Sequence, residues 1–311
     1  MNRADKIYIA GHRGLVGSSI LSHLQSMGFD NIVTRTSQEL DLRKQADTAA
    51  FFEAERPKYV FLAAAKVGGI LANDTYKAQF IYDNLMIASN VIEASYRYGV
   101  EKLLNLGSSC IYPKLAPQPL KEEYLLSGAL EPTNEPYAIA KIAAIKLCRY
   151  YNEQYGTNFI SAMPTNLYGP NDNFDLQTSH VLPALMRKIH QAKQTKTNVE
   201  IWGDGSPMRE FLYVEDLAEA AVFLMENADE AAVGEIINVG TGRDCTIKEL
   251  AETIAAVVGF DGDFALDSTK PNGTPRKLLD VSRINSLGWS ARVSLRDGLK
   301  NTYDWFLENV V

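Results

Sequence analysis

A tyrosine and a lysine four residues apart, Tyr137 and Lys141 in "NEPYAIAKIAAIKLC", are placed to move a proton. On a helix this spacing puts both side chains on one face, one turn apart. A free phenol titrates near ~10, and a neighbouring ammonium lowers that value by stabilising the phenolate, which suits general acid/base work near neutral pH. An exposed aromatic and a solvated lysine would give the same pattern by chance. Here the pair opens a helix just after a loop, and it follows a strand that ends in serines. That strand is "NLGSSCIYPK", Asn105–Lys114, where Ser108, Ser109 and Cys110 stand together. Serine hydroxyls at a strand end can orient a carbonyl. The thiol could be a small core hydrophobe, half of a disulfide, a metal ligand or an acid/base.

The elements that must carry these groups begin at the N-terminus. "KIYIAGHRGLVGSSILSHL" runs from an alternating apolar strand, Lys6–Ala10, through Gly11, Gly14 and Gly17 into a helical pattern that includes Leu15 and Val16. Three glycines allow a tight turn, backbone approach to a pyrophosphate and close helix–strand packing, which is what dinucleotide binding needs. The spacing is GxxGxxG and not the commoner GxGxxG. NAD-binding folds usually hold the ribose with an acid at the end of the second strand. "NIVTRTSQ" ends that strand with Arg35, Thr36 and Ser37, and Arg13 lies inside the glycine turn. Two guanidiniums and hydroxyls suit a 2′-phosphate, so the expected cofactor is NADP (NADPH).

The rhythm then continues. "YVFLAAAKVGGI", Tyr59–Ile70, reads as a near-continuous apolar strand, "FIYDNLMIASNVIEASYRYG" as a long helix ended by Gly99, and "KLLNLGSSCIY" as the next strand. Alternating strands and helices predict an α/β, Rossmann-type doubly wound parallel sheet with its ligand beyond the carboxyl ends of the strands. Gly11, Ala63–Ala65 and Ser108–Cys110 would gather there. After Gly169-Pro170 the rhythm breaks. The expected division is residues 1–169 plus about 211–241 for the NADP-binding Rossmann domain, and about 170–210 plus 242–311 for a smaller α/β substrate domain. "FLYVEDLAEAAVFLMEN" and "EIINVG" read as a helix and a strand returning to the large domain.

With 311 residues, 46% hydrophobic and 22% charged, the composition is that of an ordinary globular chain. A net charge of −7 argues against nucleic acid or an anionic membrane as partner. No apolar run approaches the ~18 residues of a bilayer span. "MNRADKIYIAGH" lacks a signal-peptide pattern. Cys110, Cys148 and Cys245 are far apart in sequence, which disfavours a disulfide framework or CxxC pair, and the four histidines form no HExxH. The expectation is a reduced, cytoplasmic protein without a structural metal.

The chain resembles the extended short-chain dehydrogenase/reductase family, which acts largely on nucleotide sugars. The resemblance rests on "AGHRGLVGS", "LAAAKVGGI", "NLGSSCIYP", "NEPYAIAKIAAIKLC", "PTNLYGPND", "WGDGSPMREFLYVEDLA" and "IINVGTG". It implies that Ser108, four residues before Tyr112, joins Tyr137 and Lys141 in a hydride-transfer triad, with Lys141 also on the nicotinamide ribose. It extends the cofactor site to Ala64, Pro164, Asn166, Leu167 and His180.

"GSSCIYPK", "EPTNEPYAIAKIA", "MPTNLYGPNDNF", "SHVLPALMRK" and "KPNGTPRKLLD" are similar to a narrower branch, the 3,5-epimerase and 4-reductase of GDP-4-keto-6-deoxy-D-mannose. Dehydratase relatives carry an acidic pair after the strand-end hydroxyl, and 4-epimerase relatives small neutral residues; here a thiol stands. A 4-ketone acidifies C3–H and C5–H, so epimerisation needs a base on one ring face and an acid on the other. Cys110, with an ordinary pKa of ~8.5, could be the base. The resemblance implies His180, with an ordinary pKa of ~6.5, as the acid, although a residue before "VLPALMRKIH" can simply start a helix.

Substrate contacts are expected from Asn166, Lys188, Trp202, Arg209, Lys270 and Arg276. Lys188 stands where the family more often has an arginine. The resemblance further implies a homodimer built on the helices around 75–98 and 137–155. Two other readings remain open: a 4-epimerase or simple 4-reductase on the same fold, and a non-catalytic NADP-binding sensor.

Overall fold

The computed structural model describes residues 1–176, 178–267, 269 and 274–311. The first half alternates β1 (Ile7–Ala10), α1 (Leu15–Ser26), β2 (Ile32–Arg35), α2 (Gln45–Glu55), β3 (Tyr59–Leu62), α3 (Ile70–Thr75), α4 (Lys77–Arg97), β4 (Lys102–Leu106), α5 (Glu135–Tyr155) and β5 (Phe159–Pro164). The second half holds β6 (Asn166–Tyr168), α6 (Val181–Thr195), β7 (Val199–Trp202), β8 (Met208–Tyr213), α7 (Val214–Asn227), α8 (Glu230–Val233) and β9 (Ile237–Val239). It closes with β10 (Asp244–Thr246), α9 (Ile247–Val258), β11 (Phe264–Asp267), β12 (Arg276–Lys277), α10 (Ser282–Ser286) and α11 (Leu295–Asn309).

Six strands form a parallel sheet in the order β2-β1-β3-β4-β5-β9. Its inner strands are apolar on both faces because both faces are covered. Ile7, Ile9 and Phe61 pack with Leu217, Ala221 and Leu224 of α7. Tyr8, Val60 and Leu62 pack on the opposite side with Phe52 of α2 and Val91 and Ile92 of α4. Successive strand residues point to opposite faces, so one strand feeds two cores. This is the expected Rossmann-type α/β architecture.

A separate core gathers Leu185, Met186 and Ile189 of α6 with Leu250 and Ile254 of α9 and Phe306 of α11. Beside it β8 pairs antiparallel with β10 and parallel with both β6 and β12, and β7 pairs with β11.

Two readings of the sequence need correction. The strand expected over Tyr59–Ile70 stops at Leu62, and Ala63–Gly69 is loop leading into α3. This loop is covered at its end, where Gly68 abuts Phe80 and buried Gly69 abuts the backbone of Thr178 and Ser179, while Val67 is 64% exposed. "FLY" belongs to β8 and not to the following helix, because Phe211–Tyr213 pair with Asn166–Tyr168.

Candidate active site

The glycine turn is explained by packing. Gly11 has φ +89°, and a Cβ there would lie 2.7 Å from the Ala64 nitrogen. A Cβ at Gly17 would lie 2.1 Å from the Gly11 carbonyl oxygen. At Gly14 the nearest atom would be 3.6 Å away, so this glycine is not required by the protein's own packing. Gly14 caps α1 with no side-chain acceptor for the first-turn amides. Leu15, Val16 and Gly17 therefore present N–H groups of the kind that hold an anion.

At the end of β2, Arg35 donates to the Thr34 carbonyl (2.8 Å) and pairs with Glu55 (2.7 Å). Arg13 is exposed, and both guanidiniums lower the pKa of Glu39, after that carboxylate's hydrogen bonds to Thr36. Sequence inspection found no acid at the strand end, yet the fold turns Glu39 back onto the Thr36 amide (2.7 Å). These groups fit a dinucleotide: a glycine cradle open at Gly14, free helix amides and two arginines near the second strand end.

Ser108 lies two residues beyond the end of β4 and caps a short 3-10 turn, Ser109–Ile111, by accepting from the Cys110 amide at 3.4 Å. That turn swings the Cys110 side chain back beside its own cap. The Ser108 hydroxyl is close enough to lower the pKa of both Cys110 and the Tyr137 phenol by hydrogen bonding. α5 begins at Glu135, with Pro136 in its first turn, so Tyr137 and Lys141 share one face as expected. The Lys141 Nζ donates to the Leu106 carbonyl at 2.8 Å and lies 5.7 Å from the Tyr137 ring centroid. Phe80 of α4 meets that ring edge-on at 6.3 Å.

Burial governs the protonation states. It raises the Tyr137 phenol, with the nearby Cys110 adding to the rise. Lys141, 8% exposed, is lowered by burial to about 8. Cys110, 7% exposed, is raised by burial, and Ser108, Lys277 and Lys141 pull it back. His180 caps α6 and is itself exposed; desolvation of its ring by the surrounding atoms, then the Lys277 charge, lowers its pKa.

Lys277 is the residue that sequence inspection missed. It lies on β12 in register with Arg209 of β8, and its charge acts on Cys110, His180 and Arg209 together. Burial lowers its own pKa first. Its neighbour Arg276, expected at the substrate, forms a two-bond pair with Asp244 (2.6 and 3.1 Å). Alternation along a strand turns the two side chains to opposite faces. That alternation was the available signal, and it was hidden because a two-residue strand leaves no visible periodicity.

The other expected contacts are dispersed. Asn166 donates to the Glu210 carbonyl at 2.8 Å, beside Pro164 and Leu167 at the start of β6. Lys188 lies 5.5 Å from the Trp202 ring, and Trp202 is exposed. Arg209 donates to the Met208 carbonyl, and burial lowers its pKa. Lys270 lies outside the described residues. Among the described residues, two buried polar atoms at the starts of the two helices that carry Tyr137 and His180 have no partner: Asn134 Oδ1 and Ser179 Oγ.

A glycine cradle at a parallel sheet, with a Ser–Tyr–Lys cluster at the next strand ends, defines a nucleotide-dependent oxidoreductase or epimerase site. The chain belongs to the NAD dependent epimerase/dehydratase family, whose model matches residues 7–240. It is 60% identical to GDP-L-fucose synthase 1 of Arabidopsis thaliana, over 99% of this chain and 95% of that protein. Identity to the GDP-L-fucose synthase of Escherichia coli (strain K12) is 57%, over 98% of this chain and 97% of that protein. Its fold matches that of a GDP-mannoheptose C4 reductase from Campylobacter jejuni with NADP bound, at TM-score 0.92 and 44% identity, covering 99% of both chains.

Proposed function

We propose that this enzyme converts GDP-4-keto-6-deoxy-D-mannose to GDP-L-fucose by 3,5-epimerisation and NADPH-dependent reduction at C4. The observation that carries the reading is the Ser108 hydroxyl serving both Tyr137 and Cys110. A ketone oxygen held by Ser108 and Tyr137 leaves the acidified C3–H and C5–H beside the thiol. The relatives from Arabidopsis thaliana and Escherichia coli carry this activity in their names along nearly their whole length.

In the first stage the Cys110 thiolate takes the proton from C3, and the electron pair moves to the C4 oxygen as an enolate. Ser108 and Tyr137 stabilise that oxyanion by hydrogen bonding. The His180 imidazolium returns a proton to the opposite face, and the cycle repeats at C5. Each turn leaves a thiol and a neutral imidazole, reset by exchange with water. In the second stage Tyr137 gives its proton to the C4 alkoxide, and Lys141 stabilises the phenolate left behind.

Bound NADPH supplies the hydride to C4. Gly11, Gly14 and the first-turn amides of Leu15, Val16 and Gly17 would hold its pyrophosphate, and Arg13 and Arg35 its 2′-phosphate. The Arg35–Glu55 pair is partly exposed, and such pairs contribute only about 0–1 kcal/mol, so a phosphate can compete for the guanidinium. Ala64, Lys141, Pro164, Asn166, Leu167 and His180 complete the cofactor site. Asn166, Lys188, Trp202, Arg209, Lys270 and Arg276 take the GDP-sugar. The Campylobacter reductase, whose structure holds NADP, supports the cofactor assignment.

The chain would work as a Rossmann domain, residues 1–169 with about 211–241, closed over by a substrate domain formed from the rest. Two copies would pair through α4 and α5, which expose Tyr82 (60%), Ile139 (41%) and Tyr150 (52%). The three free cysteines suit the cytoplasm, and among the described residues no helix is long and apolar enough to cross a membrane.

The deciding experiment is hydrogen exchange in deuterated water with GDP-4-keto-6-deoxy-D-mannose and no NADPH. Cys110→Ser should slow deuterium entry at C3 and C5 by about 10²–10⁴-fold. It should still oxidise GDP-L-fucose with NADP, a step that needs no epimerisation. Normal exchange in that variant would remove Cys110 as the base.

A further inference from the structure

We propose that Gly69 is a positioning residue for His180, docking the loop after β3 onto the backbone that leads into α6. This rests on the reading of His180 as the epimerisation acid. The Gly69 amide donates to the Thr178 carbonyl at 2.9 Å. A Cβ on Gly69 would stand 2.6 Å from the Ser179 carbonyl oxygen and 3.4 Å from that of Thr178. Both atoms are backbone, so the added methyl cannot be absorbed by a side-chain rotation. Residue 180 is the next in the chain, and displacement of Ser179 moves the imidazole with it. Gly69 has ordinary extended dihedrals, φ −65° and ψ −179°. The close approach therefore selects glycine here, and not a left-handed turn.

Both sides of the contact are braced. Asn73 of α3 is buried and donates to the Gly68 and Gly69 carbonyls at 2.7 and 3.0 Å. Asn84 of α4 is buried too; its oxygen accepts from the Lys66 amide (2.9 Å) and its nitrogen donates to the Lys66 and Phe80 carbonyls (3.0 and 2.7 Å). Across the seam, Asp175 accepts from the Thr178 amide (3.0 Å), and the Ser179 amide donates to the Asp175 carbonyl (3.0 Å). Among the described residues Asn73 Oδ1 and Ser179 Oγ, buried at this seam, meet no partner, so the Gly69–Thr178 backbone bond carries the docking. Phe80, which packs under Gly68, also touches the Tyr137 ring, and one loop thus sets the spacing between the two proton donors.

The test splits the two chemistries. Gly69→Ala should slow inversion at C3 and C5 of GDP-4-keto-6-deoxy-D-mannose, followed by NMR without NADPH, by about 10–100-fold, since a displacement of ~1 Å at a proton donor costs that much. Oxidation of GDP-L-fucose at saturating NADP, whose hydride and proton transfers use Ser108, Tyr137 and Lys141 and not the His180 proton, should stay within about twofold of the parent. If inversion stays at the parental rate, or if both activities fall together, the positioning role is wrong. His180→Gln run in parallel separates the layers: normal inversion in that variant overturns the assignment of the acid itself, and with it the role of Gly69. Should Gly69→Ala not fold, Asn73→Ala frees the same loop without a clash. It should show the same selective loss of inversion, and an equal loss of both activities would again refute the proposal.

Discussion

At the scale of single residues, Cys110 and His180 have their pKa values pushed apart: the thiol rises from its ordinary ~8.5 chiefly through burial, and the imidazole falls from its ordinary ~6.5 chiefly through desolvation by the atoms around it. The productive pair is thiolate with imidazolium, so the group that must lose its proton has the higher pKa. Between the two values that form is a minor species of constant fraction. Below His180's pKa the thiolate is lost, and above Cys110's the imidazolium is lost. C3 and C5 inversion should therefore be flat from below pH ~6.5 to above pH ~8.5 and fall about tenfold per pH unit beyond either limb. Lys277 lowers both groups, so Lys277→Met should move both limbs to higher pH. A limb lying between about 6.5 and 8.5 in the parent enzyme would contradict these assignments. Tyr137 and Lys141 were legible in the sequence because helix spacing alone puts them on one face. Lys277 was not, because its place beside Cys110 depends on a pairing between segments far apart in the chain.

Among the elements, the turn from β1 to α1 separates two kinds of glycine. Gly17 is required by packing, since its Cβ would overlap the Gly11 carbonyl, whereas a Cβ at Gly14 would make only an ordinary contact with that oxygen at 3.6 Å. Gly17→Ala should lower the thermal midpoint. Gly14→Ala should fold as the parent does yet weaken NADPH binding about tenfold or more, read by fluorescence titration; parental affinity would place the pyrophosphate elsewhere. The glycine spacing was enough to predict this turn. Most of the sheet was equally legible, because covered parallel strands read as apolar runs. The same rule misled at Ala63–Gly69, where the apolar run belongs to a half-buried loop with Val67 exposed. Composition cannot distinguish a residue covered by helices from one covered by a neighbouring loop.

For the molecule as a whole, Glu210 ties distant segments together. Its carboxylate is fully buried and accepts from the amides of Thr241 (2.6 Å), Gly242 (2.8 Å) and Leu279 (2.9 Å), while its carbonyl accepts from Asn166 and Thr165. Glu210→Gln turns one acceptor into a donor facing a backbone amide, which costs about 1–3 kcal/mol. Calorimetry should show a thermal midpoint lower by several degrees, and an unchanged midpoint would mean the carboxylate does not carry the junction. The C-terminal segment that supplies Leu279 also closes a loop from the first half of the chain. Leu278 takes the Leu120 amide at 2.7 Å, Asp280 donates back to Leu120 at 2.9 Å, and Gln118 holds the Leu278 amide 160 residues away. This has a consequence for the order of synthesis. At roughly 5–20 residues per second, the ribosome makes the strand carrying Lys277 about 10–30 s after the loop it completes. The cofactor half can fold in that interval, while the thiol waits for its lysine. A nascent chain can therefore bind dinucleotide well before its thiol meets the charge that tunes it.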